Sequence, residues 1–529
     1  MVKKVRDKSF IFLCFFTLYA VTASGDLIGD SEIRWTVAKR FVDTGWIDLP
    51  PDTTPLYALG RDGKPYSFYG PGQSVFLLPF VVAGQWLAAL MPSRVTADQV
   101  GQLLASVIFF PACGALAIVV AYAIVVDLTA RRDIARWIAV VYGLATMHWH
   151  HTVNTYEESQ VAVCLLTTLW ALQRASPGAG WGYLATAFGA MGLALFFRVS
   201  SIVASAPLVL VALGYDLLRS GVPIDAVRRA GRWFVAGLVG LGPFVVLVGA
   251  FNAVRFGSPW ESGYAPAHLE QLGGIRLFET PLLVGLSGML LSPGKSVFLF
   301  NPILLPVIPG FLPLWRVHRR MAACVLACLA STLVFHSKIT FWAGDLAWGP
   351  RYLASTMGPC VLGLVPLLDR ERPHRKLTML MVLSIVVQLA SIVYSFGLEF
   401  FQDRRHGTIP DGYVWRAAES QLVGRFRNIA LHLASRPNLA SIPPERERAA
   451  THQVTASSES VRRLHAVNIF PFKALAFGAG NRVFSALLAV WAFAILLLVF
   501  LSWWWASLLR KEARSDADRV VIYPGCSPW

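Results

Sequence analysis

The sequence predicts an all-α polytopic membrane protein with about twelve transmembrane helices and an amphipathic, juxtamembrane first outer loop. Three observations predict it. Of 529 residues, 55% are hydrophobic and 15% charged, with a mean hydropathy of +0.54, which is too apolar for an ordinary water-soluble domain. The apolar residues fall in runs near the twenty or so needed to cross a hydrocarbon core. The Lys and Arg residues behind the net charge of +16 sit in short clusters between those runs. They therefore read as topology determinants and not as a nucleic-acid surface.

The first run follows a basic start (Lys3, Lys4, Arg6, Lys8) and extends from Phe10 to Ala20. Val21-Thr22-Ala23 resembles a signal-peptidase site. An uncleaved first span is preferred, because the anchored helix would then position the acidic residues Asp26 and Asp30. Further spans are expected near 101–127, 134–148, 158–173, 181–197, 200–217, 233–251, 298–315, 321–336, 356–368, 377–396 and 483–506, after the first at 9–24. The segment from Gln73 to Met91 is apolar enough to cross. Counting it as a span would put Arg131, Arg132 and Arg136 outside and invert every later loop, so it is laid along the outer interface. Both termini are then cytoplasmic.

This path divides the chain into a transmembrane module, 1–398, with outer loop 25–72 and interfacial helix 73–91. An outer polar loop or small cap follows at 399–482, and the last span with a cytoplasmic tail occupies 483–529. The cap region carries charged runs such as Pro443 to Arg448 and a Ser/Thr-rich stretch from Ala456 to Ser460. Chemistry is expected in the outer segments Gly25–Gly72, Asn252–Val297, His336–Ser355 and Glu399–Asn481. No internal repeat is visible, which weighs against an inverted-repeat transporter.

Directly after the first span come Asp26, Asp30 and Glu32, then an amphipathic stretch from Ile33 to Thr44 with apolar Ile33, Val37 and Phe41 and polar Arg34, Lys39 and Arg40. Acids are thus held at the water–lipid boundary, where a carboxylate can take a proton from an attacking hydroxyl. Asp30 is the leading candidate for such a base; it is equally placed to N-cap the following helix. The turn Gly60 to Gly72, containing Tyr66 and Tyr69, suits either a ligand site or an interfacial anchor. In Leu291-Ser292-Pro293-Gly294-Lys295-Ser296 a lone Lys lies beside backbone N–H groups, a setting that can hold an anion. In Trp342 to Tyr352, Arg351 offers a planar fork for phosphate, with Tyr352 beside it. Either cation could instead snorkel to ordinary anionic lipid.

The seven cysteines lie mostly in apolar runs without CxxC or Cys/His spacing, so they read as small buried hydrophobes. The run His148-Trp149-His150-His151 to Glu157-Glu158 is the one candidate for a divalent metal, although its spacing matches no standard site. No required cofactor or metal is expected. Arg198, between two apolar runs, must face the protein interior or the outer surface.

Taken together, the acids of the first outer loop (Asp30 with Glu32), the amphipathic helix after them and Tyr66 to Gln73 leading into an interfacial helix resemble the GT-C-type glycosyltransferases. The later motifs Ser292–Lys295 and Trp348–Tyr352 extend the resemblance. This polytopic class includes protein O-mannosyltransferases and lipid A aminoarabinose transferases, and the resemblance spans most of the chain. The three quoted motifs resemble uncharacterised bacterial members most. The resemblance implies a GT-C-like fold in a bacterial inner membrane, with a sugar moved from a polyprenyl-phosphate carrier to an envelope glycan, glycolipid or protein by inverting displacement. It implies Asp30 as base, with Glu32 and Asp26 competing because Ser31 interrupts an adjacent acidic pair. Lys295 and Arg351, with Tyr352 and Tyr69, would hold the donor phosphate. The competing readings are a lipid or solute transporter or flippase, and a noncatalytic envelope-assembly scaffold. No nucleic-acid partner is expected.

Overall fold

The computed structural model describes residues 2–50, 57–90, 95–175, 181–218, 223–265, 268–269, 276–344, 347–370, 375–395, 411–434, 466–476 and 481–517. The Pro443–Arg448 and Ala456–Ser460 stretches and Cys526 lie outside them, as do Asp345 and Leu346. The described chain is helical apart from two paired two-residue strands, Ala58–Leu59 and Pro65–Tyr66. Each of the twelve segments expected to span overlaps helix. Among the described residues, six helices are long and apolar enough to cross a membrane alone: 97–129, 199–218, 319–338, 351–368, 375–393 and 482–507. The pair 224–240 and 242–256, bent by 43° where they meet, is long and apolar enough only when taken together. The chain is thus a multi-pass membrane protein.

The remaining expected spans fall short for local reasons. Helix α1 (Val2–Val21) begins among charged residues. The segment expected at 298–315 is interrupted at Pro302 and Pro306, giving a four-residue helix, a 3-10 turn and then Val307–Val317; proline removes the backbone donor that would continue the helix. One apolar helix was not expected. Leu282–Leu291 lies inside the stretch read as a continuous outer segment, and it docks beside the helix Arg319–Lys338. There the Thr280 hydroxyl donates to the Ile339 carbonyl at 3.0 Å.

The helix after α1 is α2 (Asp30–Thr44). It buries Ile33, Arg34, Trp35 and Val37 and leaves Phe41 exposed. The expected amphipathic face is therefore rotated, with a charged residue turned inward. Helix α3 (Gly72–Ala88) packs against α2 and buries Gln73, Ser74, Leu77 and Val81, leaving Val75, Phe76 and Trp86 outside. Its start is pressed against the end of α9 (Gly182–Phe197): a Cβ on Gly72 would lie 2.7 Å from the Phe196 carbonyl, so only glycine fits.

Between them run α4 (Ala97–Leu104), continued through a π turn into α5 (Phe110–Thr129), then α6 (Arg132–Leu144), α7 (His148–Val153) and α8 (Glu158–Arg174). The basic clusters pair at the end of the bundle remote from α2. Arg136 meets Asp7 at 3.2 Å, and Arg174 clasps Asp127 with two bonds of 2.7 Å. The described cysteines are all free, with Cys14, Cys164, Cys324 and Cys328 buried among apolar side chains. At the other end, residues 411–434 and 466–476 fold back onto the bundle. The Phe470 amide donates to the Ala23 carbonyl at 3.0 Å, and the Ser395 amide donates to Ala466 at 2.8 Å.

Candidate active site

The turn leaving α1 is pinned before it reaches Asp30. The Ser24 amide donates to the Val153 carbonyl at 3.1 Å, the Gly25 amide to the Ser106 hydroxyl at 2.9 Å and the Leu27 amide to Gln102 at 3.3 Å. Gly29, with φ of +56°, is the N-cap of α2 and makes no side-chain cap bond. Asp30 is thus the first helical residue and does not cap the helix, which frees its carboxylate for tertiary contacts. The helix N-terminus beneath it still favours its negative charge.

Tyr69 donates its hydroxyl to Asp30 Oδ1 at 2.6 Å, and Arg351 Nη2 donates to Oδ2. Burial alone would raise this carboxyl, but the charges of Arg351 and Arg34 and the Tyr69 hydrogen bond outweigh it and hold Asp30 well below the usual carboxylate range. Conversely, burial and the Asp30 charge push the Tyr69 phenol far above its ordinary value, so it remains a neutral donor. Arg255 holds the Tyr69 turn from behind, donating to the carbonyls of Ser67 and of Tyr69, the latter at 3.2 Å.

Asp30 belongs to a larger buried ionic cluster. Arg351 Nε donates to Glu158 Oε1 at 3.0 Å, and Arg198 Nη1 donates to the same oxygen at 3.2 Å. Arg198 Nε also approaches Glu157 at 3.4 Å, and Arg34 Nη2 donates to the other Glu157 oxygen. Arg34 lies over the Tyr69 ring at 4.1 Å. Three carboxylates therefore face three guanidiniums, drawn from α2, α8, the 153–158 turn, the end of α9 and the segment after Gly349. Buried charges of this kind persist only when paired and hydrogen-bonded.

Lys295 adds a fourth cation one loop away. It is fully buried and donates to the carbonyls of Ala347 at 2.5 Å and Gly349 at 3.2 Å. His151 donates from Nε2 to the carbonyl of Trp348, between them, at 3.2 Å. Loop 347–349 is thereby clasped from two sides just before Arg351. Burial, with the charges of Arg351 and Lys295 added, pushes His151 down to about 4, so it is neutral at neutral pH.

The structure thus brings together Asp30, Tyr69 and Arg351, with Tyr352 beside them: Arg198 lies over the Tyr352 ring at 5.1 Å, and the ring stacks with His336 at 4.8 Å. It places the other two first-loop acids elsewhere. Asp26 is clasped by Lys473 at 2.8 and 2.9 Å, while the Glu32 side chain is exposed. The run considered for a metal is differently employed. Glu157 and Glu158 receive arginines, and His148 bonds to the Gly114 carbonyl at 3.1 Å. Among the described residues, no group of three or more His, Cys, Asp or Glu side chains is arranged to hold a metal ion. Sequence reasoning did not assign Arg34, Glu157, Glu158 or Arg198 to this site. The signal was an arginine between apolar runs and an acidic pair at a helix start.

A polytopic helical membrane protein with a buried ionic site at one end of its bundle is what fold and site define. No family model matches the chain, and no curated protein matches it. Among solved structures, the chain is similar to ArnT from Cupriavidus metallidurans bound to undecaprenyl phosphate. The identity is 17% and the TM-score 0.46, over 90% of this chain and 76% of that one. The apo form of the same protein gives 16% and 0.44, over 90% and 75%. At that identity and overlap the likeness fixes no residue's role.

Proposed function

We propose that the chain is a GT-C-type glycosyltransferase that moves a sugar from a polyprenyl-phosphate carrier to an envelope glycan, glycolipid or protein. It would act at the outer face of a bacterial inner membrane, with both termini cytoplasmic. The observation that carries this reading is the carboxylate of Asp30, fixed immediately after the first helix and in direct contact with Arg351, with the buried Lys295 ammonium on the loop that leads to Arg351. A base beside an anion-holding group is what sugar transfer from a lipid phosphate needs.

In the reaction, the acceptor hydroxyl oxygen bonds to the anomeric carbon while the bond from that carbon to the phosphate oxygen breaks. The hydroxyl proton passes to Asp30, and the electron pair of the broken bond leaves on polyprenyl phosphate. Arg351, with Lys295 nearby, offsets the charge that develops on the phosphate. A single displacement of this kind inverts the anomeric carbon. The cations supply the charge stabilisation in this scheme, and no step calls on a metal.

The same geometry couples donor binding to the base. As long as Arg351 holds Oδ2, Asp30 is a weak proton acceptor. A donor phosphate that draws on Arg351 Nη2 uncovers that oxygen and strengthens the base when the donor is in place. The transporter reading fits less well, because the ionic cluster sits at a bundle end and not midway along broken helices.

The test is a panel of radiolabelled polyprenyl-phosphate sugars incubated with membranes containing the protein, with the product anomer assigned by NMR. Consumption of at least one carrier with inverted product is expected. Retention would remove the single-displacement scheme, and no consumption of any carrier would remove the glycosyltransferase reading.

A further inference from the structure

The outer region after the Arg375–Val393 helix contributes to the phosphate end of the site. Arg425, on the helix Gln421–Leu433, is fully buried. Its Nη1 donates to three carbonyls at the end of the Arg375–Val393 helix, those of Ala390 at 3.2 Å, Ser391 at 2.7 Å and Tyr394 at 3.3 Å. The last carbonyls of a helix have no intrahelical partner, and a cation there also meets the negative end of the helix dipole. The guanidinium is thereby fixed, and its central carbon lies over the Trp348 ring, 5.0 Å from the ring centre.

Trp348 is itself fully buried, set edge-on to Phe300 at 4.8 Å. The carbonyls on either side of it hold the Lys295 ammonium, and Arg351 follows three residues later. A second contact reaches the same place: the Tyr413 ring lies 5.4 Å from the Lys295 ammonium, and the Gly294 amide donates to the Val414 carbonyl at 3.0 Å. A Cβ on Gly294 would lie 2.1 Å from the Tyr413 carbonyl, so the outer segment sits on the backbone of the Lys295 loop.

We propose that Arg425 is a positioning residue for the donor phosphate, acting through the Trp348 ring on the loop that sets Lys295 and Arg351. The inference rests on the proposed function. Arg425 reaches the site through the loop that carries Lys295's acceptor carbonyls and leads to Arg351, so its loss should weaken donor capture more than it slows the chemical step. A displacement of even an ångström in a binding loop is felt strongly in catalysis.

The test uses the full-length protein in native membranes, with Arg425→Lys and Arg425→Ala compared against the wild type for donor KM, kcat and thermal stability. Lysine keeps the charge that reaches the carbonyls but cannot stack a plane on Trp348. The expected result is a donor KM raised several-fold by Arg425→Lys and roughly tenfold or more by Arg425→Ala, with kcat lowered by a smaller factor than KM is raised. In Lys295→Ala protein, Arg425→Lys should add less than it does alone, because both act on the same phosphate. Unchanged donor KM in Arg425→Lys, or effects that add fully to those of Lys295→Ala, would overturn the proposal even if Arg425→Ala fails to fold. A wild type that consumes no carrier fails the functional reading instead, so the two failures are distinguishable.

Discussion

Replacing Arg351 by Gln tests the coupling between donor and base in one step. The substitution removes the guanidinium from Asp30 Oδ2 and from Glu158 Oε1 together. Glu158 keeps Arg198 at 3.2 Å and Asp30 keeps the Tyr69 hydroxyl at 2.6 Å, so neither carboxylate is left without a partner. A hydrogen bond to a charged group is worth about 1.5–3 kcal/mol. The Asp30 side chain is 22% exposed, so solvent screens part of this and the lower half of the range applies. At about 1.4 kcal/mol per pKa unit, the Asp30 carboxyl should rise by about one unit or somewhat more. Activity requires the ionised base and is lost as pH falls through its pKa. In the wild type that point lies below the ordinary carboxylate range, so the acid limb of kcat/KM, which reports the free enzyme, should be absent above pH ~5. In Arg351→Gln the limb should move up toward the ordinary range, and donor KM should rise at least tenfold from the lost phosphate contact. The assay is initial-rate release of labelled sugar from the carrier from neutral pH down to about 3, since the shifted limb still lies below the ordinary carboxylate value. An unmoved acid limb together with an unchanged donor KM would refute the reasoning.

Further consequences can be measured in the same membranes. Glu32→Gln should leave turnover near wild type, since its side chain is exposed and the proposed base is Asp30; a loss comparable to that of Asp30→Asn would move the base. Asp26→Asn should act on stability, lowering the thermal midpoint of detergent-solubilised protein by about 1–3 kcal/mol equivalent, because it strips the carboxylate from buried Lys473. Because folding depresses the Asp30 pKa, its ion pair stabilises the fold above the unfolded value near pH ~4 and stops doing so as pH falls through the folded value. Asp30→Asn should therefore lower thermal stability at neutral pH and progressively less in acid. Chelation by EDTA should leave the rate of carrier consumption unchanged, and a loss restored by Mg2+ or Mn2+ would show that the arginines are not sufficient.

The all-helical, multi-pass character was legible because apolar length and Lys/Arg placement are local properties of the sequence. Span boundaries were less so: Pro302 and Pro306 break a run that hydropathy treats as continuous, and Leu282–Leu291 is an apolar helix only ten residues long. Asp30 could be found because it follows the first span directly. Its partners could not be chosen, since Arg351 lies 321 positions away and the Arg34–Glu157 pair is separated by 123. Helical spacing groups Arg34 with Lys39 and Arg40 as one polar set, and only the tertiary contact with Glu157 distinguishes it. Arg425 gave no signal at all, because a single arginine in a polar segment of ordinary composition does not announce burial.

The most direct test of the central claim is carrier turnover by purified protein in liposomes, wild type beside Asp30→Asn, on a polyprenyl-phosphate sugar identified from the panel and with an acceptor fraction present. The account predicts steady release of polyprenyl phosphate by the wild type and a rate lower by about 10²–10⁴ in Asp30→Asn, the range expected for loss of a general base. Equal rates in the two proteins would contradict it.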